Sequence, residues 1–168
     1  MQIQTTLEDH QIAKLAAFAI ALHMLEAVIP SPLPGVKPGI ANIVTLYVLF
    51  KYGFASAVWV SILRVFASGL LLGQFLSPTF ILSLAGALLS LCALWLCTYL
   101  PKKYFGAVSF SIIAAFAHIA GQLIMVRLWL IPHAGVAYLT PIFATAALFF
   151  GIVNGIITHK LLHQHHTN

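Results

Sequence analysis

The chain has 168 residues, 61% of them apolar and 7% charged, with a formal net charge of +5. A soluble domain carries about 25% charged residues, so this composition excludes a water-soluble globule, whose surface needs polar side chains. The cations stand singly between apolar runs, which marks membrane topology and anionic headgroups; no nucleic acid is expected as a partner.

The expected fold class is all-α: a polytopic membrane helical bundle of about six transmembrane helices, forming a single integral membrane domain over 1–168. A helix crossing a hydrocarbon core of ~30 Å needs ~20 residues. The first helix is predicted over 12–29, stopping at Pro30. It follows the acidic Glu8 and Asp9 in place of a basic segment, so no cleavable signal peptide is expected. Pro30 to Gly39 is rich in Pro and Gly and reads as loop or broken backbone. The second helix, 40–50, is too short to cross alone unless part of the preceding loop dips into the protein, where irregular backbone is tolerated only if buried or lining a cavity. After a turn at Lys51-Tyr52-Gly53 comes the third helix, 54–72, and then a turn over Gly73 to Pro78. The fourth helix is predicted over 79–100 and carries Cys92 and Cys97, read as packing residues. The fifth is 107–130. Pro132 to Gly135 interrupts the chain before the sixth, 136–162.

Lysine distribution predicts orientation. With the N-terminus inside, Lys14, Lys51, Lys102, Lys103 and Lys160 fall at inner ends, and Lys37 and Arg127 at outer ends. That asymmetry predicts cytoplasmic termini and a bacterial cytoplasmic (inner) membrane location.

Charges inside the membrane are the best functional pointers, because one at a helix centre costs ~2.5–3.5 kcal/mol on insertion scales. Arg64 sits mid-helix, Glu26 lies near the outer end of the first helix, and Lys37 and Arg127 flank the same outer mouth. One reading is a cationic pocket for an anionic headgroup, carboxylate or phosphate. The other is a structural pair between Arg64 and Glu26. His118 and Gln122, at i and i+4, share a helix face and serve either a ligand or an interhelical hydrogen bond; Asn42 and Asn154 carry the same two readings. The candidate substrate-binding residues are Lys37, Asn42, Arg64, His118 and Gln122. His159, His163, His165 and His166 read as a solvated tail, so no metal site and no cofactor are expected. Ala13, Ala17 and Ala21 repeat at four-residue spacing, which lets another helix approach closely, either within the bundle or as a docking stripe for a partner.

The stretch Pro32-Leu-Pro-Gly-Val-Lys-Pro-Gly-Ile-Ala-Asn-Ile43, followed by Thr45-Leu46, resembles the signature of the bacterial membrane family labelled Gx transporter or heptaprenyl diphosphate synthase component I. Arg64, Gly73 with Leu76-Ser77-Pro78, Leu82-Ser-Leu-Ala-Gly86, Ala117-His118 and Gly121-Gln122 extend the similarity over nearly the whole chain. That family in turn resembles the substrate-binding S components of energy-coupling factor transporters. The resemblance implies a six-helix protein with both termini inside that captures a small vitamin-like or isoprenoid-related molecule, anionic or amphipathic, on the outer side. It further implies docking through the Ala13/Ala17/Ala21 stripe on an energy-coupling transmembrane subunit driven by ATPases.

The alternative takes the family's other label literally: a non-catalytic membrane accessory subunit of polyprenyl (heptaprenyl) diphosphate synthesis. A synthase of that kind holds magnesium through aspartate-rich motifs, because a cation must neutralise the leaving diphosphate. Glu8, Asp9 and Glu26 are the whole acidic supply here. No Gly-x-Ser-x-Gly elbow, phosphate-binding Gly-Lys-Ser/Thr loop or His-Glu-x-x-His motif is present, so the chain is not expected to be an enzyme.

Overall fold

The structure, a computed structural model, describes residues 6–28, 39–101, 104–131 and 133–164. These form six α-helices: α1 (Leu7–Val28), α2 (Ala41–Tyr52), α3 (Phe54–Leu71), α4 (Pro78–Cys97), α5 (Ala107–Met125) and α6 (Thr140–Gln164). A π-helical turn, Val126–Leu130, extends α5, and a 3-10 segment, Ala134–Leu139, leads into α6. Five helices (α1, α3, α4, α5 with its extension, and α6) are long and apolar enough to cross a membrane. The chain is therefore a multi-pass, all-α membrane bundle.

Helix ends follow local chemistry. α1 begins at Leu7, five residues before the predicted start, because Thr6 and Asp9 cap each other. The Asp9 N–H donates to Thr6 Oγ1 at 3.2 Å, and the Thr6 N–H donates to Asp9 Oδ2 at 2.8 Å. Ser77 caps α4 by accepting the Phe80 N–H at 3.2 Å, with Pro78 in the first helical position. The last predicted turns of the fourth and fifth helices are not α-helical: α4 stops at Cys97, and Arg127 falls in the π-helical turn.

α2 has 12 residues, about 18 Å at 1.5 Å per residue, well short of a bilayer core. It survives because protein surrounds it. It packs against α1, α3, α5 and α6, and Ile43 to Leu49 form an unbroken buried run. A helix apolar on all sides belongs in the centre of a bundle. Consecutive helices pack side by side, so the chain runs up and down, with α5 between α4 and α6. One half of the interior is an apolar core of Ala16, Ala19, Val48, Val60, Leu94 and Phe110, with Phe50 stacked on Phe110 at 5.1 Å. The other half, where α1, α3 and α5 end, is polar and incompletely filled.

A polar cavity around Arg64

All six helices contribute to a cavity of about 70 Å³ in that second half. A water occupies ~10–15 Å³ on this measure, so the cavity has room for a few waters or one phosphate-sized group.

The spacing Ala57, Ser61, Arg64, Ser68 places these residues on the buried face of α3. Arg64 is 3% exposed. One terminal guanidinium nitrogen, Nη1, donates to Asn42 Oδ1 at 3.0 Å, while Nε has no hydrogen-bond partner among the described residues. Leaving a donor of a buried charged group unbonded costs upwards of ~1–3 kcal/mol, so this nitrogen is a donor in want of an acceptor.

Glu26, also 3% exposed, lies on the same wall. No ion pair joins it to Arg64 among the described residues. Its Oε1 accepts the Ile40 N–H at the start of α2, and its Oε2 is 3.9 Å from His23 Nδ1. α2 has no side-chain cap of its own, so a carboxylate from the neighbouring helix serves the positive end of the α2 dipole. Glu26 and Arg64 interact through charge across the cavity wall, and the same carboxylate makes a helix-end contact with α2. Gly39 makes the local turn possible. Its φ is +67°, and a Cβ there would lie 2.9 Å from Asn42 Nδ2. Its carbonyl accepts from Asn154 Nδ2 at 3.2 Å, tying α6 to the start of α2.

His118 and Gln122 do share a face, and both line the cavity. Their contact runs along α5, Gln122 Nε2 to His118 Nε2 at 3.3 Å, and is not the interhelical bond considered from sequence. The Gln122 amide donates, so His118 Nε2 accepts and the ring proton sits on Nδ1. That nitrogen has no hydrogen-bond partner among the described residues. The ring lies against α4 only because position 86 is glycine: a Cβ there would come within 2.8 Å of it.

Of the five residues predicted to bind substrate, Asn42, Arg64, His118 and Gln122 meet at this cavity. Lys37 lies outside the described residues. Arg127 is exposed in the π-helical turn and does not line the cavity, contrary to the shared mouth expected from sequence. His23, Ser83 and Phe150 also line it and were missed; only the i, i+3 spacing of His23 and Glu26 carried a signal. Ala13, Ala17 and Ala21 are exposed along α1, whereas Ala16 and Ala19 face the core. Cys92 and Cys97 are free thiols. His159 and His163 meet edge to face at 4.3 Å on the last turns of α6, so this part of the histidine-rich end is helix, not tail.

A membrane bundle that closes around a buried arginine and a small polar void defines a class: a polytopic membrane protein with an internal polar site. More specifically, the chain belongs to the heptaprenyl diphosphate synthase component I family, whose sequence profile it matches over residues 15–161. No curated protein and no solved structure matches it.

Proposed function

We propose that this protein is a non-catalytic membrane subunit of polyprenyl diphosphate synthesis, and that its cavity holds one phosphoryl group of the charged head of an isoprenoid diphosphate. The observation that carries this reading is Arg64, buried at the cavity wall with Nε unbonded. Guanidinium remains charged in such a place and bonds two oxygens of an anion at once. Glu26 on the same wall offsets part of that charge, while its carboxylate also accepts the Ile40 N–H and lies near His23. The family description supports the isoprenoid assignment over vitamin uptake. The cavity size agrees, being suited to a head group and too small for a whole vitamin.

The same residues argue against catalysis. Ionising a diphosphate needs magnesium on clustered carboxylates, and Glu26 is the single acidic residue of the cavity lining. The reacting chemistry therefore belongs to another subunit, with this chain presenting or receiving the amphipathic molecule at the membrane.

Binding of farnesyl diphosphate to the protein in lipid nanodiscs tests the reading. Arg64→Gln is expected to weaken binding about 10–100-fold, the loss of charged hydrogen bonds worth ~1.5–3 kcal/mol. Arg64→Lys should recover part of it. A folded Arg64→Gln variant that binds as tightly as the original protein assigns Arg64 to structure alone.

A second reading, a substrate-binding uptake subunit paired with an energy-coupling transmembrane subunit and ATPases, is favoured by one feature: the exposed Ala13, Ala17 and Ala21 stripe of α1. Both readings use the same cavity and differ in the partner.

A further inference from the structure

The cavity walls are chemically unequal. α1, α2 and α3 supply His23, Glu26, Asn42 and Arg64, whereas the wall where α5 meets α6 is mostly small or apolar: Ala115, Ile119, Ala146, Ala147 and Phe150. Ala115, Ile119, Ala146 and Phe150 are all half-buried, and Phe116, Ile142 and Phe149 beside them are exposed on the lipid side.

The packing of α5 on α6 changes along its length. In the half remote from Arg64, glycines bring the backbones together: a Cβ on Gly155 would lie 2.6 Å from Val108 Cα, and one on Gly151 3.0 Å from Ile112 Cα. Small residues of this kind clamp membrane helices. Nearer the Arg64 end, the facing positions on α6 are Ala147 and Ala146, and there the cavity lies between the helices.

Size then forces a consequence. A void of about 70 Å³ takes a phosphoryl group and leaves no room for a fifteen-carbon chain. A chain attached to a head at Arg64 must leave the cavity, and the α5–α6 wall offers it an apolar route. Passage there keeps every methylene in hydrocarbon, whereas an exit past the polar walls would put the chain against charged and hydrogen-bonding groups.

We infer that the Arg64-end half of the α5–α6 seam is a lateral portal, through which the isoprenoid chain of a ligand held at Arg64 extends into the bilayer. This rests on the proposed head-group site and adds the route of the chain and the feature that selects for its length. Ala146 and Ile119 are the portal's specificity-determining residues: Ala146 leaves the gap, and Ile119 faces it from α5.

The test compares two probes in nanodiscs, farnesyl diphosphate and the five-carbon isopentenyl diphosphate, with Ala146→Trp filling the gap. The ratio of farnesyl to isopentenyl affinity is expected to fall at least ten-fold. As a readout independent of any variant's folding, a farnesyl diphosphate analogue with a photoreactive group at its chain end should crosslink the unaltered protein to peptides of α5 and α6. An unchanged affinity ratio in folded Ala146→Trp, or crosslinks confined to α1, α3 and α4, overturns the portal while leaving the head-group site standing. Binding of neither probe by the unaltered protein overturns the site and the portal together.

Discussion

Polar side chains in this bundle are satisfied by whatever backbone lies next to them, and few neighbouring side chains take part. Glu26 binds the start of α2, Asn154 binds the Gly39 carbonyl, Ser68 binds the Arg64 carbonyl at 2.6 Å, and Thr158 binds the Asn154 carbonyl at 2.8 Å. In hydrocarbon an unsatisfied group costs several kcal/mol, so carbonyls that already serve a helix accept a second bond. Thr45 Oγ1, Arg64 Nε and His118 Nδ1 escape this economy among the described residues; Arg64 and His118 belong to the cavity wall. His118 is held by shape as well: Gly86→Ala puts a methyl within 2.8 Å of its ring. The substitution is expected to destabilise the protein by ~1–3 kcal/mol through overpacking, read as a lower Tm in detergent. Combining it with His118→Ala should return more than ~0.5 kcal/mol of that loss, as residues in contact couple. Strict additivity of the two changes would mean that the ring is free to move aside.

Among the helices, α1 and α2 divide the work most sharply. α2 is buried along most of its length and brings Asn42 to Arg64, so its N-terminal turn is part of the site. α1 turns Ala16, Ala19 and Glu26 inward and leaves Ala13, Ala17 and Ala21 outward. A large side chain at position 17 therefore meets no neighbour inside the bundle. Ala17→Trp should leave the stability of the isolated protein within ~0.5 kcal/mol of the original, read as a nearly unchanged Tm. If the stripe seats a membrane partner, the same variant should lose that subunit on co-purification, because close helix approach requires small residues. Retention of a coupling subunit by Ala17→Trp counts against the uptake reading. Unfolding of the isolated variant would make the stripe an internal contact.

For the molecule as a whole, the polarity of the two ends sets which side of the membrane the cavity serves. The cavity lies where α1, α3 and α5 finish, away from the end that carries Lys14, Lys51 and Lys160. The excess of lysine at that opposite end predicts that it faces the cytoplasm, which would place the cavity in the outer half. In a background of Cys92→Ala and Cys97→Ala, Lys37→Cys should react with an impermeant thiol reagent in intact cells and Lys102→Cys should not. The reverse pattern inverts the protein and turns the cavity to the cytoplasm.

Class and helix order were legible in the chain because they follow from apolar run length, which water and lipid sort without reference to tertiary contacts. Arg64 was legible for the same reason, since a charge in an apolar run stands out on composition alone. The inward faces of His118 and Gln122 followed from helical spacing. The start of α1 was written in the Thr6-x-x-Asp9 pattern and passed over. Folding alone settled the rest: that Glu26 accepts the Ile40 N–H, that His23 and Ser83 join the wall, and that Ala13, Ala17 and Ala21 face outward. It also settled that α5 and α6 are brought together at Gly151 and Gly155. These depend on the rotation of each helix about its own axis and on distances between helices. In a chain hydrophobic on every face no periodic pattern encodes that rotation; close approach at a few small residues does.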